Sequence, residues 1–184
     1  MKGVINISKK LLELKKWASE NITLINLLPT NTGLEVTTRL IDVLEDELDE
    51  KYYLSEEKTK KLVINLDSNK IIRVREATKQ GYALAERGDS VNVSYPTSKT
   101  RRGRVGKQVA QTLQAGEVNQ GVVMGDIRIR KLVPIETWRL QGFTDEQFYK
   151  AKESGVSNSQ LYKQAGNAVT VNVVDAIVKE LPNQ

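Results

Sequence analysis

The feature that most constrains this chain is the punctuation of its last third. Residues 130–145 read RKLVPIETWRLQGFTD, and residues 160–174 read QLYKQAGNAVTVNVV. Pro134 suits the first turn of a helix, where its missing N–H is one that the helix cannot pair internally anyway. Glu136 stands in that turn and Gly142 ends it, because glycine takes the left-handed conformation of a helix stop at little cost. Thr144 and Gln147, and again Ser157 and Gln160, have capping-box spacing. They predict two more short helices, stopped at Gly155 and Gly166. A final apolar helix over about residues 171–181 is expected to bury Val173, Val174, Ile177, Val178 and Leu181, since valine-rich helices persist only when packed.

Strand patterns lie ahead of this tail. QGVVM (120–124) and DIRIRKL (126–132) predict paired strands meeting at Gly125, with Ile127 and Ile129 buried and Arg128 and Arg130 on the open face. LVINL (62–66) and IIRVR (71–75), joined by Asp67-Ser68-Asn69-Lys70, predict a hairpin that sets Arg73 and Arg75 on one face. VNVSY (91–95) reads as a short strand. The rest of 76–95 is too broken by Gly, Asp and Ser to separate helix from strand. Ser55 before Glu56 and Glu57 reads as a helix cap with acids in the first turn. Near the N-terminus, Ile7, Leu11, Leu14 and Ala18 have helical spacing, and a loop follows over 29–33.

Composition narrows the function classes. The 184 residues hold no cysteine and no histidine, which excludes disulfides and thiolate metal sites and removes the commonest general base. No run of about 18 apolar residues is present, and no secretory pattern is seen, so a cytoplasmic, metal-free chain is expected. Net charge is +5, but its placement says more. Between Lys70 and Lys107 ten basic residues face three acidic ones (Glu76, Glu86 and Asp89), a local balance of +7. Such clustering is the footprint of a phosphate-binding face. Gly103 and Gly106 keep Arg101, Arg102, Arg104 and Lys107 on pliable backbone, suited either to phosphate contact or to a bidentate grip on guanine. By contrast, residues 42–57 carry eight acids against one lysine and are expected to face away from a phosphate chain.

The two blocks of the last third resemble the final two motifs of the DNA cytosine-5 methyltransferases, as found in bacteria and phages. Arg130, Leu132, Pro134, Glu136, Arg139, Leu140, Gln141, Gly142, Phe143 and Asp145 match the first motif, while Val133 and Thr144 replace its usual Thr and Pro. Gln160, Tyr162, Gln164, Gly166, Asn167, Ala168 and Val169 match the second. Thr112-Leu113, about 17 residues ahead, resembles the Thr-Leu pair of the family's recognition region, whose threonine contacts phosphate beside the target base. The resemblance covers residues 40–181 and finds nothing before about residue 38.

What the resemblance implies is a target-recognition region over 39–125 and a closing segment over 126–184, with an unmatched N-terminal helix and linker over 1–38. The fold class expected is α+β: a small recognition domain of strands and loops, then a helical tail that would pack on a Rossmann-like methyltransferase domain. In the family, a cysteine thiolate adds to carbon 6 of a flipped cytosine, and S-adenosylmethionine gives its methyl group to carbon 5. This chain has no cysteine, so none of its residues is expected to be catalytic, and a separate chain carrying the Pro-Cys nucleophile is the implied partner. The expected contacts to double-stranded DNA are Arg73, Arg75, Lys99, Arg101, Arg102, Arg104, Lys107 and Thr112. Asn167, Ala168 and Val169 would close one wall of the S-adenosylmethionine site. Glu136 and Arg139 read as internal ion-pair or hydrogen-bond partners, and Trp138, Phe143 and Tyr162 as core. Two rival readings stay open: a non-catalytic DNA-binding protein derived from such an enzyme, and a decayed remnant.

Overall fold

The computed structural model describes residues 39–66, 70–115 and 118–179. The N-terminal helix expected over residues 7–18, and Leu181, lie outside the described residues. Two antiparallel sheets open the fold. The first joins β1 (Val63–Leu66), β2 (Ile72–Arg75) and β3 (Tyr82–Ala85), with Ile72 opposite Ala85 and Arg73 opposite Leu84. The hairpin expected between β1 and β2 forms, preceded by a helix α1 (Glu56–Leu62) whose cap is Ser55, accepting from the Lys58 amide. β3 carries little strand signal in its Tyr-Ala-Leu-Ala sequence, and pairing with β2 along its whole length holds it.

The second sheet has the order β5 (Val105–Gly106), β4 (Ser90–Asn92), β6 (Gln120–Val123), β7 (Ile129–Lys131). Leu62, Ile72, Val74 and Ala85 from the first sheet and its helix form one core cluster with Val91, Val123 and Ile129 from the second. Each of these is almost fully buried, an arrangement worth roughly 1.5–3 kcal/mol per large aliphatic side chain. The expected alternation in β7 is only half right. Ile127 sits in the turn at φ +65°, and Arg130, expected on an open face, is 1% exposed. Both faces of β7 are covered, one by the sheet core and the other by Glu136 and the segment around Glu45.

The helical tail follows the predicted punctuation. Helix α2 (Pro134–Leu140) starts on its proline, and Gly142 leaves it at φ +83°. Helix α3 (Asp145–Glu153) has the Thr144/Gln147 capping box in both directions, and Ser157 caps α4 (Asn158–Asn167). Gly166 does not stop α4. It lies inside the last turn, where a Cβ would stand 2.4 Å from the carbonyl carbon of Gln114, so its role is close approach. Val133, Ile135, Phe148 and Leu161 knit these helices together. Trp138 donates its indole N–H to the Leu161 carbonyl at 3.0 Å, and Tyr162 its hydroxyl to Leu132 at 2.9 Å. Burial pushes the Tyr162 phenol well above its ordinary range. The last helix, α5 (Val171–Lys179), departs from expectation: Val173, Val174 and Val178 are exposed because no described element covers them.

Candidate nucleic-acid interface

A groove of about 480 Å³ runs between the segment around Thr112 and the loop after α4. Its walls include Gln111, Thr112 and Leu113 on one side and Gly166, Ala168, Val169 and Thr170 on the other. The Thr112 face and the Ala168–Val169 face, read separately from the sequence, therefore share one groove. Thr112, Asn167 and Val169 are exposed at or beside it, and Ala168 is half-buried. Asn167 and Val169 offer one carboxamide and one apolar side chain, which fits a single wall of an S-adenosylmethionine site.

Two buried glutamines hold the sides of this groove. Gln120, on β6, accepts from the Gln111 amide at 2.7 Å and donates to the carbonyls of Gln111 at 2.5 Å and Thr112 at 3.3 Å. Gln141 donates to the Ala165 carbonyl at 2.8 Å and accepts from the Thr170 hydroxyl at 2.7 Å, while its own carbonyl takes the Val171 amide at 2.8 Å. Sequence reasoning matched Gln141 to a motif but gave neither glutamine a role. The available signal was a lone amide in an otherwise apolar strand, Gln-Gly-Val-Val.

Behind the groove the closing segment is tied to residues 45–50 by ion pairs. Glu136 is fully buried and takes the Arg130 guanidinium through both oxygens, at 2.7 and 3.0 Å, and the amides of Glu45 and Val133 at 2.8 Å. Arg139 pairs with Asp145 and Glu45 and donates to the Val43 carbonyl. Hydrogen bonding by Arg139 holds the Asp145 carboxyl below the usual carboxylate range, and the same bond raises the guanidinium. The internal roles expected of Glu136 and Arg139 are thus realised. Much of the acidic run is used up in this way: Glu50 likewise pairs with Arg128.

The expected DNA-facing cations stand in different settings. Arg75 and Lys99 are exposed and line an open groove of about 560 Å³ with Lys60 and Lys61. Arg73 lies over the Tyr82 ring at 5.2 Å on the outer face of the first sheet. Arg101 and Arg102 stand on a loop bound to the turn after β2: Ala77 donates its amide to the Arg101 carbonyl at 2.8 Å, and Arg102 donates its Nε–H to the Ala77 carbonyl at 2.9 Å. Lys107 is half-exposed but engaged, 2.7 Å from the buried carboxylate of Asp89 and 3.5 Å from Glu86. Arg104 corrects the expectation outright. It is fully buried, and its guanidinium donates to the carbonyls of Asn92, Ser94 and Tyr95 at 3.0, 2.8 and 2.6 Å. Desolvation lowers its pKa, and a side chain so enclosed has no surface to give to DNA.

The C-5 cytosine-specific DNA methylase family model matches residues 5–183. The chain belongs to that family. The matched span begins in the N-terminal stretch where the sequence reading found no likeness. Among curated relatives, the orphan methyltransferase M.SPBetaI of Bacillus phage SPbeta is 40% identical over 188 residues, covering 79% of this chain and 42% of the relative. The orphan methyltransferase M.SPRI of Bacillus phage SPR is 31% identical over 217 residues, covering 79% and 49%. That of Bacillus phage rho11s, M.Rho11sI, is 59% identical over 64 residues, 33% of this chain and 13% of the relative. The chain spans less than half the length of these relatives. Among the described residues no group of three or more His, Cys, Asp or Glu side chains could hold a metal, and no helix is long and apolar enough to cross a membrane.

Proposed function

We propose that this chain is the DNA-recognition and closing part of a DNA (cytosine-5) methyltransferase, working with a catalytic polypeptide that supplies the Pro-Cys nucleophile. The observation that carries this reading is the shared groove: Thr112, matched to the residue that contacts phosphate beside the target base, faces Ala168 and Val169, matched to the cofactor wall. A groove with both on its rim suits a base brought to a methyl donor. The chain holds no cysteine, so in this reading another polypeptide supplies the nucleophile. S-adenosylmethionine would supply the methyl group. The chain's own residues orient and enclose: Asn167 and Val169 at the cofactor's edge, Thr112 on the phosphate, and Gln120 and Gln141 fixing the two sides.

Helix α5 supports the need for a partner. Val171, Val173, Val174 and Val178 are each more than a third exposed, an apolar stripe that isolated soluble domains avoid. A Rossmann-like catalytic sheet is the cover proposed for it.

Arg73, Arg75, Lys99, Arg101 and Arg102 provide the phosphate contacts in this reading, since among the described residues they are the expected cations that neither burial nor an acidic partner removes. The test is binding of the chain to labelled duplex DNA across a salt series. Affinity should fall steeply with salt, and each of R75A and K99A should flatten the log–log slope by about 0.9. Binding no stronger than that of an acidic control protein at low salt would remove the reading.

A further inference from the structure

A third groove, of about 480 Å³, has Lys58, Tyr95, Gln114, Asn119 and Lys131 among its walls. Three observations single it out. First, Asn119 is 7% exposed, yet its carboxamide makes no hydrogen bond with any described residue; only its backbone carbonyl is used, by the Val93 amide at 2.8 Å. The carboxamide stands at the groove wall and is open to an outside partner. Second, Tyr95 is 75% exposed and held at φ +47°, a left-handed conformation that bulky residues avoid. Its carbonyl is fixed by the buried Arg104 at 2.6 Å and by the Ser98 amide at 2.9 Å. The buried arginine therefore sustains the backbone that presents an aromatic ring to solvent. Third, Lys58 and Lys131 have no acidic partner among the described residues, whereas neighbouring Lys60 and Lys61 are paired with Glu56 and Glu57.

A ring for stacking, an open carboxamide for a donor–acceptor edge and two ammonium groups for phosphate are together the recognition chemistry of a nucleotide. Carboxamides read adenine in particular, through N6 and N7, and aromatic rings stack on any base. We propose that this groove reads a base of the DNA substrate, with Asn119 and Tyr95 as specificity-determining residues and Lys58 and Lys131 on the flanking phosphates. The proposal rests on the DNA-recognition reading above and adds which residues choose the sequence.

The test is repeated selection of the full chain against a pool of duplexes with a randomised centre, with N119A, Y95A and K99A in parallel. Wild type should enrich a motif. N119A and Y95A should each lose discrimination at one position, with the ratio of specific to non-specific affinity falling about tenfold or more. K99A should weaken binding to every sequence and keep the motif. Retention of the wild-type motif by both N119A and Y95A overturns the proposal while leaving DNA recognition standing. Failure of wild type to bind duplex at all overturns the DNA-recognition reading and this proposal with it. Wild type binding without enriching any motif overturns this proposal alone. Should N119A lose its far-ultraviolet dichroism, Y95A decides, since a ring so exposed contributes little to folding.

Discussion

Replacing Glu136 with alanine should be among the most damaging single changes in the chain. Its carboxylate is fully buried and accepts four hydrogen bonds: two from Arg130, one from the Glu45 amide and one from the Val133 amide, all between 2.7 and 3.0 Å. The alanine variant leaves the Arg130 guanidinium, 1% exposed, with only the carbonyls of Lys131 and Glu45 at 3.2 and 3.4 Å. Stranding one member of a buried pair costs about 3–5 kcal/mol. Set against a total stability of about 5–15 kcal/mol, that is a large share. With a urea m-value of about 2 kcal/mol/M, the midpoint should fall by about 2 M at unchanged slope. Urea unfolding followed by circular dichroism measures it. The double variant R130M/E136L should recover part of the loss, because it removes the stranded charge while still leaving the Glu45 and Val133 amides without their carboxylate acceptor. A midpoint within about 0.5 M of wild type for E136A, or a double variant no better than the single, would refute the claim that this pair is closed off from water.

Other consequences follow from particular contacts. G166A gains about 1 kcal/mol of helix propensity but drives a methyl group into the Gln114–Ala115 backbone, a strain of about 1–3 kcal/mol or more, so thermal unfolding should show net destabilisation; a stabilised variant would mean that α4 does not pack there. Asp145 has its folded pKa lowered by Arg139, so its contribution is complete above the unfolded value of about 3.8 and drains away as pH falls through the folded one. Acid titration of stability should therefore be shallower in D145N over that window, and an unchanged profile would contradict the pairing. Y162F should lose about 0.5–1.5 kcal/mol by giving up the bond to the Leu132 carbonyl while keeping the ring, as measured by urea unfolding; no loss would mean that water replaces it freely.

What could be read from the sequence was whatever short-range chemistry decides. Pro134 at a helix start, the Thr144/Gln147 box and the β1–β2 hairpin each depend on residues within a few positions of one another, and each formed where expected. Arg104 and Arg130 could not be read in the same way. Composition treats arginine as surface, and what buries these two is a set of carbonyls and a carboxylate brought in from other segments. Gly166 shows the same limit: read locally it is a helix stop, yet its requirement comes from Gln114, some 50 positions earlier. The groove joining Thr112 to Val169 was accessible only through the family motifs, because no periodicity links those positions. The carboxamide of Asn119 carried no sequence signal at all, since its openness is a matter of what surrounds it.

In the proposed division of labour this chain supplies recognition and closure, and another polypeptide supplies the chemistry. The most direct measurement is transfer of radiolabelled methyl from S-adenosylmethionine to mixed-sequence duplex DNA, by the chain alone and by the chain mixed with a separately expressed catalytic half bearing the Pro-Cys motif. Methylation in the mixture and in neither component alone is the result predicted. Methylation by this cysteine-free chain alone, or none in the mixture despite intact DNA binding, would contradict it.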